Sequence, residues 1–462
     1  MRRLKTLIFL LPLLAGCAGH SGIHAGSKPV AVKAPELPLR ENWWNLFGDD
    51  QLDGLIREAL ASSPDIRVAR ARIRRAGAAA GIARSAQFVQ IAADASAVRE
   101  RISGTGYFPP PLGGSTLNFA QATLGFDYEF DWWGKNREAL KAAISETNAA
   151  IEEEREARLV LGTAIAGEYF RLQSDFEKIA TLKKSLRQRR RMHELVSLRE
   201  AKGLESDFRV KQYEGEEARA KLAVTELEEE SRLIRAQIAA LLGKPPEAGE
   251  KIEPRRDVPP VLPASIPADG IGLRPDILAQ KLRLEASRHR VAVAKAEFYP
   301  NIDLSAFVGT QSIGFGNLLK GGSQINSFGP AIHLPIFGGG QLRSNLREKY
   351  AEYDIEVEQY NGMVIGAMRD VHAAKVSLDS ASAEIAEQRK ALSALKNAHR
   401  IAVARFQAGV GDELSVLETE SPIHVEQNVG ADLEEKRFQA VLSMIRSLGG
   451  APGNQFGVKN GR

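Results

Sequence analysis

Between Gln341 and Gln407 no proline interrupts a column of Val357, Val364, Val371, Leu378, Ile385 and Leu392, one apolar residue in every seven. A second column three residues on holds Tyr360, Ala367, Ala374, Ala381, Gln388 and Leu395. A 3-4 spacing kept this long predicts a supercoiled helix, because a straight helix drifts about 20° per heptad from its partner. At 1.5 Å per residue the stretch would reach about 100 Å, far beyond a globular helix. The first half carries the same signal in Ile165, Leu172, Ile179 and Leu186 with Tyr169 and Phe176, and its return helix in Leu227, Ile234 and Leu241 beside Val224 and Ile238. Proline-free, Ala/Arg/Leu-rich runs from Asp65 to Ala86 and from Asp276 to Phe298 predict two further helices, with Pro64 and Pro275 in the first turn, where a missing N–H does no harm.

Elsewhere the period changes to two. From Leu124 to Trp132 every second residue is apolar or aromatic and the others are Gly or acidic, the pattern of a strand with two different faces. Phe328 to Ile336 keeps the period with less contrast; Ile302, Leu304, Ala306 and Val308 alternate with Asn301, Asp303, Ser305 and Phe307, and Ile91, Ala93, Ala95 and Ala97 give a weaker version. Four strands in two hairpins are expected, with loops near 99–116 and 312–324. After residue 17 no apolar run of about 18 residues offers a transmembrane helix, so a membrane would be crossed by strands. Every backbone polar group must be paired there, which requires a closed barrel of about eight strands or more. Two chains would supply eight strands and three would supply twelve. The acidic face belongs on an aqueous lumen, and Trp132-Trp133 fits either an interfacial aromatic belt or ordinary core aromatics.

The chain is written twice. Pro64-Asp65-Ile66 recurs as Pro275-Asp276-Ile277, an offset of 211, which also pairs Phe88 with Tyr299 and Ile91 with Ile302. Further on the offset is 206: Gly134 pairs with Gly340, Gly203 with Gly409, Leu242-Gly243 with Leu448-Gly449 and Pro246 with Pro452. A register held over this length, with the difference confined to one loop-like stretch, indicates internal duplication.

Composition narrows the function. The 62 Lys+Arg are interleaved with 58 Asp+Glu, so the net charge of +4 leaves no footprint for nucleic acid. One Cys forms neither an intramolecular bridge nor a thiolate metal site, and no metal site is expected. No nucleophile–base set or phosphate loop emerges, and Gly338-Gly339-Gly340 and Gly409-Val410-Gly411 read as turns, so no enzyme is expected. At the N-terminus Arg2, Arg3 and Lys5 precede an apolar run ending in Leu14-Ala15-Gly16-Cys17, the pattern of a cleaved secretory signal. It resembles a bacterial lipoprotein box, which implies acylation of Cys17; the bland alternative is an ordinary signal peptide. Ala18 after Cys17, in place of the Asp that retains lipoproteins at the inner membrane, points to the outer membrane.

The signal with Cys17, Arg274-Pro275-Asp276-Ile277, Glu297-Phe298-Tyr299-Pro300-Asn301-Ile302, Pro335-Ile336-Phe337-Gly338-Gly339-Gly340 and Arg405-Phe406-Gln407-Ala408-Gly409, all within a duplicated unit, resemble the TolC-like outer-membrane efflux factors, NodT-type lipoprotein branch. The resemblance covers about residues 40–455. It implies a mainly α chain with a transmembrane β-barrel: a homotrimer with a twelve-stranded barrel, four strands per chain, on a long coiled-coil α-barrel. It implies a non-enzymatic exit duct of a tripartite efflux pump, partnered by a periplasmic adaptor (membrane fusion) protein and an inner-membrane transporter of the resistance-nodulation-division type. Outer-membrane lipid is the remaining partner, and the only cofactor-like group is a covalent lipid on Cys17, palmitate among its acyl chains. The organisation expected is a signal at 1–16, a lipidated tether at 17–40, repeat 1 at 41–243 with a hairpin near 89–131 and a helical pair at 135–243, a Pro-rich connector at 244–268, repeat 2 at 269–449 with a hairpin near 301–336 and a helical pair at 340–449, and a tail at 450–462.

By the same resemblance the turns at Lys202-Gly203-Leu204-Glu205 and Ala408-Gly409-Val410-Gly411 form the periplasmic tip, so Gly203, Leu204, Gly409 and Val410 are the candidate adaptor contacts. Ser415 and Glu418 occupy the positions at which family members ring the closed aperture with acidic side chains. Where some members use an aromatic hydroxyl and an Asp to lock the aperture, this chain has Phe406 and Arg209. A pairing of Arg209 with Glu418 or with Glu413 is the substitute left open. Two alternatives stay open for the whole chain: the same fold serving type I protein secretion or metal export, and a lipid-anchored periplasmic coiled-coil protein without a pore.

Overall fold

The computed structural model describes residues 20–32, 39–40, 42–253 and 268–452. The signal region with Cys17, most of the connector and residues 453–462 lie outside the described residues. Seven α-helices are described: α1 Asp50–Ser62, α2 Pro64–Ser85, α3 Lys135–Ala201, α4 Asp207–Leu241, α5 Pro275–Ala296, α6 Gln341–Gln407 and α7 Glu413–Ser447. Six strands accompany them: β1 Leu39–Arg40, β2 Gln90–Arg101, β3 Thr116–Glu129, β4 Asn301–Ile313, β5 Gln324–His333 and β6 Ala451–Pro452. The duplication is visible in helix length, since α2 and α5 have 22 residues each, α3 and α6 have 67, and α4 and α7 have 35. The compact units do not coincide with the repeats: each collects matching parts of both halves, one of them holding 71–151 and 279–361, the other 152–278 and 362–462.

In the first unit β2-β3-β4-β5 form one antiparallel sheet with β2 and β5 as its edges. The register decides what each face carries. Ile91 faces Phe126, Ala93 faces Leu124, Phe126 faces Ala306 and Ala306 faces Phe328, so one face is apolar. The other carries Asp94 opposite Thr123, Asp127 opposite Ser305 and Glu129 opposite Asp303. Like charges directly opposite are destabilising unless neutralised. Lys135 Nζ lies 2.8 Å from Glu129, and Asn301 Nδ2 donates to Asp303 at 3.1 Å.

The strand ends differ from those the alternation suggests. β3 stops at Glu129, short of Trp132, because Asp131 accepts N–H bonds from Asn136 and Arg137 at 3.0 and 2.8 Å and so caps the start of α3. β5 stops at His333, opposite Asn301, the first residue of β4, and the Pro335 beyond it has no N–H to offer a ladder. Trp132 and Trp133 are not core residues, being 70% and 48% exposed. Trp133 stacks on Tyr299 at 4.5 Å between ring centroids and donates Nε1–H to Pro300 O.

The N-terminal segment, expected as a tether, is held along α6. Gly26 and Ser27 donate their N–H groups to the Asp354 carboxylate at 3.0 Å, Val30 donates to Asn361 Oδ1 at 2.9 Å, and Ile23 packs on Phe298 and Leu346. His20 and His24 stand four apart in this non-helical segment, and His20 packs on the Phe298 ring. No group of three potential metal ligands is found among the described residues.

The second unit holds the main core. Trp43, Trp44 and Phe47 join Leu52 and Ile56 of α1 against Ile165, Tyr169 and Leu172 of α3, Ile238 of α4 and Leu442 and Ile445 of α7. Tyr169 donates its hydroxyl to Asp49 Oδ2 at 2.7 Å, while Asp49 Oδ1 caps α1 by accepting from Gln51 and Leu52. The heptad columns of α6 face inward, with Val357, Val364, Ala367, Ala374 and Ala381 nearly inaccessible. Gln388, the polar break in its column, satisfies itself by donating to Glu426 O at 2.8 Å. The paired motifs of the two repeats meet as corners: Gly243 closes α4 beside Pro64, and Gly449 follows α7 beside Arg274 and Pro275.

Candidate functional site

Each long helix pair ends in a glycine turn. Gly203 (φ 70°) lets the chain reverse after α3, with its N–H bonded to Glu200 O at 2.7 Å and that of Leu204 to Arg199 O at 2.9 Å. Gly409 (φ 75°) does the same after α6, its N–H reaching Phe406 O and that of Val410 reaching Arg405 O. These bonds satisfy carbonyls that a helix end leaves orphaned. Among the described residues nothing packs on the two tip glycines. Leu204 is 73% and Val410 64% exposed, Phe406 is exposed, and a Cβ built on either glycine meets no atom within 4 Å.

Phe208, on the first turn of α4 and four residues after Leu204, is 76% exposed and is not among the contacts that the sequence predicts. The signal that could have found it is an aromatic residue five positions past a helix-ending glycine, with no apolar periodicity to bury it.

Just behind the tips, Met192 and Val196 of α3, Tyr213 of α4 and Leu414 of α7 form a buried cluster with Val210 and Leu417 packed on it. Polar ties frame it. Arg209 Nη2 donates to Tyr213 Oη at 3.2 Å, Tyr213 Oη donates to Glu418 Oε1 at 3.1 Å, and Arg209 stands 3.9 Å from Glu418 and 3.6 Å from Glu205. Of the two partners left open for Arg209, the geometry places Glu418 beside it. Glu413 is held by Arg191, at 2.8 and 3.1 Å. Tyr213, the bridge, sits one helical turn after Arg209, where i,i+4 neighbours meet. Ser415 is exposed and gives its backbone N–H to Asp412.

Asp412 joins the two tips. Its Oδ1 caps α7 by accepting from Ser415 N at 2.9 Å, and its Oδ2 accepts from Arg199 Nη2 of α3 at 2.9 Å. Hydrogen bonding to Ser415 and then to Arg199 lowers its pKa from the ordinary 3.8 to about 2. A carboxylate depressed on folding contributes its stabilisation at pH values above the unfolded pKa and loses it as the pH falls through the folded one. Nitroxide labels at positions 202 and 410 should therefore report an unchanged tip spacing from pH 7 down to about 4, then a broadening between about 4 and 2. Asp412→Asn should show the broad distribution already at pH 7; a sharp distribution in that variant would exclude the tie.

The four-stranded sheet has one acidic and one apolar face, the arrangement of a barrel wall between water and lipid. Residues 55–244 and 269–450 match the family model described as outer membrane efflux protein. The chain belongs to that family: it is an outer-membrane efflux channel, not an enzyme, with the fold class of the trimeric TolC-like channels, in which an α-barrel continues a β-barrel.

The multidrug resistance outer membrane protein MdtP of Escherichia coli O6:H1 is 30% identical over 466 residues, covering 95% of this chain and 94% of that protein. The pyoverdine export outer membrane protein OpmQ of Pseudomonas aeruginosa is 26% identical, covering 96% of each. The crystal structure of the outer membrane protein VceC of Vibrio cholerae superposes with a TM-score of 0.81 at 34% identity, over 90% of this chain and all of that one. Among the described residues no helix is long and apolar enough to cross a membrane.

Proposed function

We propose that three copies of the chain close a twelve-stranded barrel and form the exit duct of a tripartite pump for small organic molecules. The carrying observation is a sheet of four strands whose two edges, β2 and β5, are unpaired in the chain, too few to close alone and needing neighbours to satisfy the edges in lipid. The likeness to MdtP and OpmQ, named for multidrug resistance and pyoverdine export, supports the substrate class. The exposed apolar tips Leu204, Phe208 and Val410, with Gly203 and Gly409, receive the helical hairpin of a periplasmic adaptor, which couples the duct to an inner-membrane transporter of the resistance-nodulation-division type. Ser415 and Glu418 line the aperture, and Arg209 with Tyr213 hold Glu418. Cys17 carries the acyl chains, palmitate among them, that anchor the N-terminus.

The test is the detergent-corrected mass of the extracted protein together with its conductance in a planar bilayer. A conducting trimer is the expected result. A monomer or dimer that never conducts would return the chain to an anchored coiled-coil protein without a pore. Leu204→Asp with Val410→Asp should then abolish export in cells while leaving the trimer's conductance intact; retained export would remove the tips from the adaptor contact.

A further inference from the structure

The apolar face of the sheet carries charge at one end only. Counting by register, Arg99 and Arg101 lie on the same side of β2 as Ile91 and Ala93, opposite Asn118 and Thr116 of β3. Among all strand residues of that face in β2 to β5 they are the only charged ones. Both are exposed, and neither guanidinium has an ion-pair partner among the described residues. Glu100, between them, belongs to the acidic face. The edge strand β5, which would meet β2 of a neighbouring copy, carries Gln324 and Asn326 on the apolar face near the same end and no carboxylate.

Their height follows from strand geometry. The helices join the sheet at the end marked by Trp132 and Trp133, and both hairpin loops lie at the other end. In an outer-membrane channel with periplasmic helices, the loop end is extracellular. From Ile91 to Arg101 the strand rises about 34 Å at 3.4 Å per residue. At a barrel tilt of about 40–45° this is about 25 Å along the membrane normal, the height of the lipid-facing apolar band. Arginine at mid-membrane on that face is strongly disfavoured but costs little at the interface. The two guanidiniums therefore stand where the outer leaflet's headgroups begin, facing lipid, without a counter-charge among the described residues. Guanidinium forks match phosphate oxygens bidentately.

We propose that Arg99 and Arg101 form a binding site for the phosphate groups of the outer leaflet's phosphorylated glycolipid. The inference rests on the outer-membrane placement and on closure of the strands into a barrel; closure is checked separately in each preparation by heat-modifiable migration and conductance.

The experiment is native mass spectrometry of the delipidated full-length trimer, titrated with bisphosphorylated lipid A, with its dephosphorylated form and with phosphatidylglycerol. Arg99→Gln/Arg101→Gln should retain on the order of tenfold less bisphosphorylated lipid A than the unaltered trimer, since the charge-assisted contacts to phosphate are lost. The dephosphorylated form should not distinguish the two proteins, and Glu100→Gln, on the opposite face, should bind as the unaltered protein does. Should the double variant fail to assemble, the single variants Arg99→Gln and Arg101→Gln carry the same comparison. Equal retention by variant and unaltered trimer overturns the site. So does a loss that extends equally to dephosphorylated lipid A, and a loss confined to phosphatidylglycerol overturns the choice of glycolipid.

Discussion

Arg209→Glu is expected to turn a weakly conducting channel into a strongly conducting one. Arg209 is tied to Tyr213 Oη, which in turn holds Glu418, and the guanidinium lies within 4 Å of both Glu418 and Glu205. Both ends of the tie are substantially exposed, with 39% of the Arg209 and 49% of the Glu418 side chain accessible, so one such pair contributes no more than about 1 kcal/mol. The substitution also sets like charges against each other at the same three positions. In a threefold aperture the change acts three times, and about 3 kcal/mol moves a closed-to-open ratio by roughly a hundredfold. Tyr213→Phe, which removes the bridging hydroxyl but no charge, should give an intermediate conductance. Both are read as single-channel conductance of assembled trimers. Closed-level currents in an assembled Arg209→Glu trimer would mean that the tie does not hold the aperture.

The long helices were legible because their information is local and repeated: the columns from Val357 to Leu392 specify a buried stripe whatever they pack on, and α6 spans the Gln341–Gln407 stretch they mark. The strand bodies were legible for the same reason. Their ends were not, since Asp131 fits an alternating strand and a helix cap equally well in sequence, and only the N–H groups of Asn136 and Arg137 decide between them. The tip glycines could be found from the repeat. The ties behind them could not, because Tyr213 with Glu418, Arg191 with Glu413 and Arg199 with Asp412 join residues more than 200 positions apart, and no periodicity links their partners. Register supplied what alternation alone could not for β2, whose weak apolar face became readable only when Ile91 and Ala93 were set opposite Phe126 and Leu124.

Gly449→Ala is expected to destabilise the protein far more than Gly409→Ala, although both glycines have the same left-handed backbone, φ 79° and 75°. A left-handed non-glycine residue costs roughly 1–2 kcal/mol by itself. At Gly409 that is the whole cost, because nothing lies within 4 Å of an added Cβ. At Gly449 the Cβ would stand 2.7 Å from Arg274 Cα and 3.1 Å from Pro275 Cδ. Arg274 cannot yield freely, since its guanidinium is held by Asp276 at 2.7 Å and reaches Asp370 and Ser447 O at 3.4 Å. Overpacking adds about 1–3 kcal/mol, for a total of about 2–5 kcal/mol. Thermal unfolding of the two variants measures the difference directly, and equal midpoints would show that the Gly449 corner relaxes without cost. The repeat partner Gly243, whose Cβ would meet Pro64 Cδ at 2.9 Å, should behave like Gly449 and not like Gly203, for which the space is open. The comparison also isolates function from folding. A Gly409→Ala channel that assembles with only the small backbone cost but no longer exports has lost a contact made outside the chain, at the tip where the adaptor is proposed to dock.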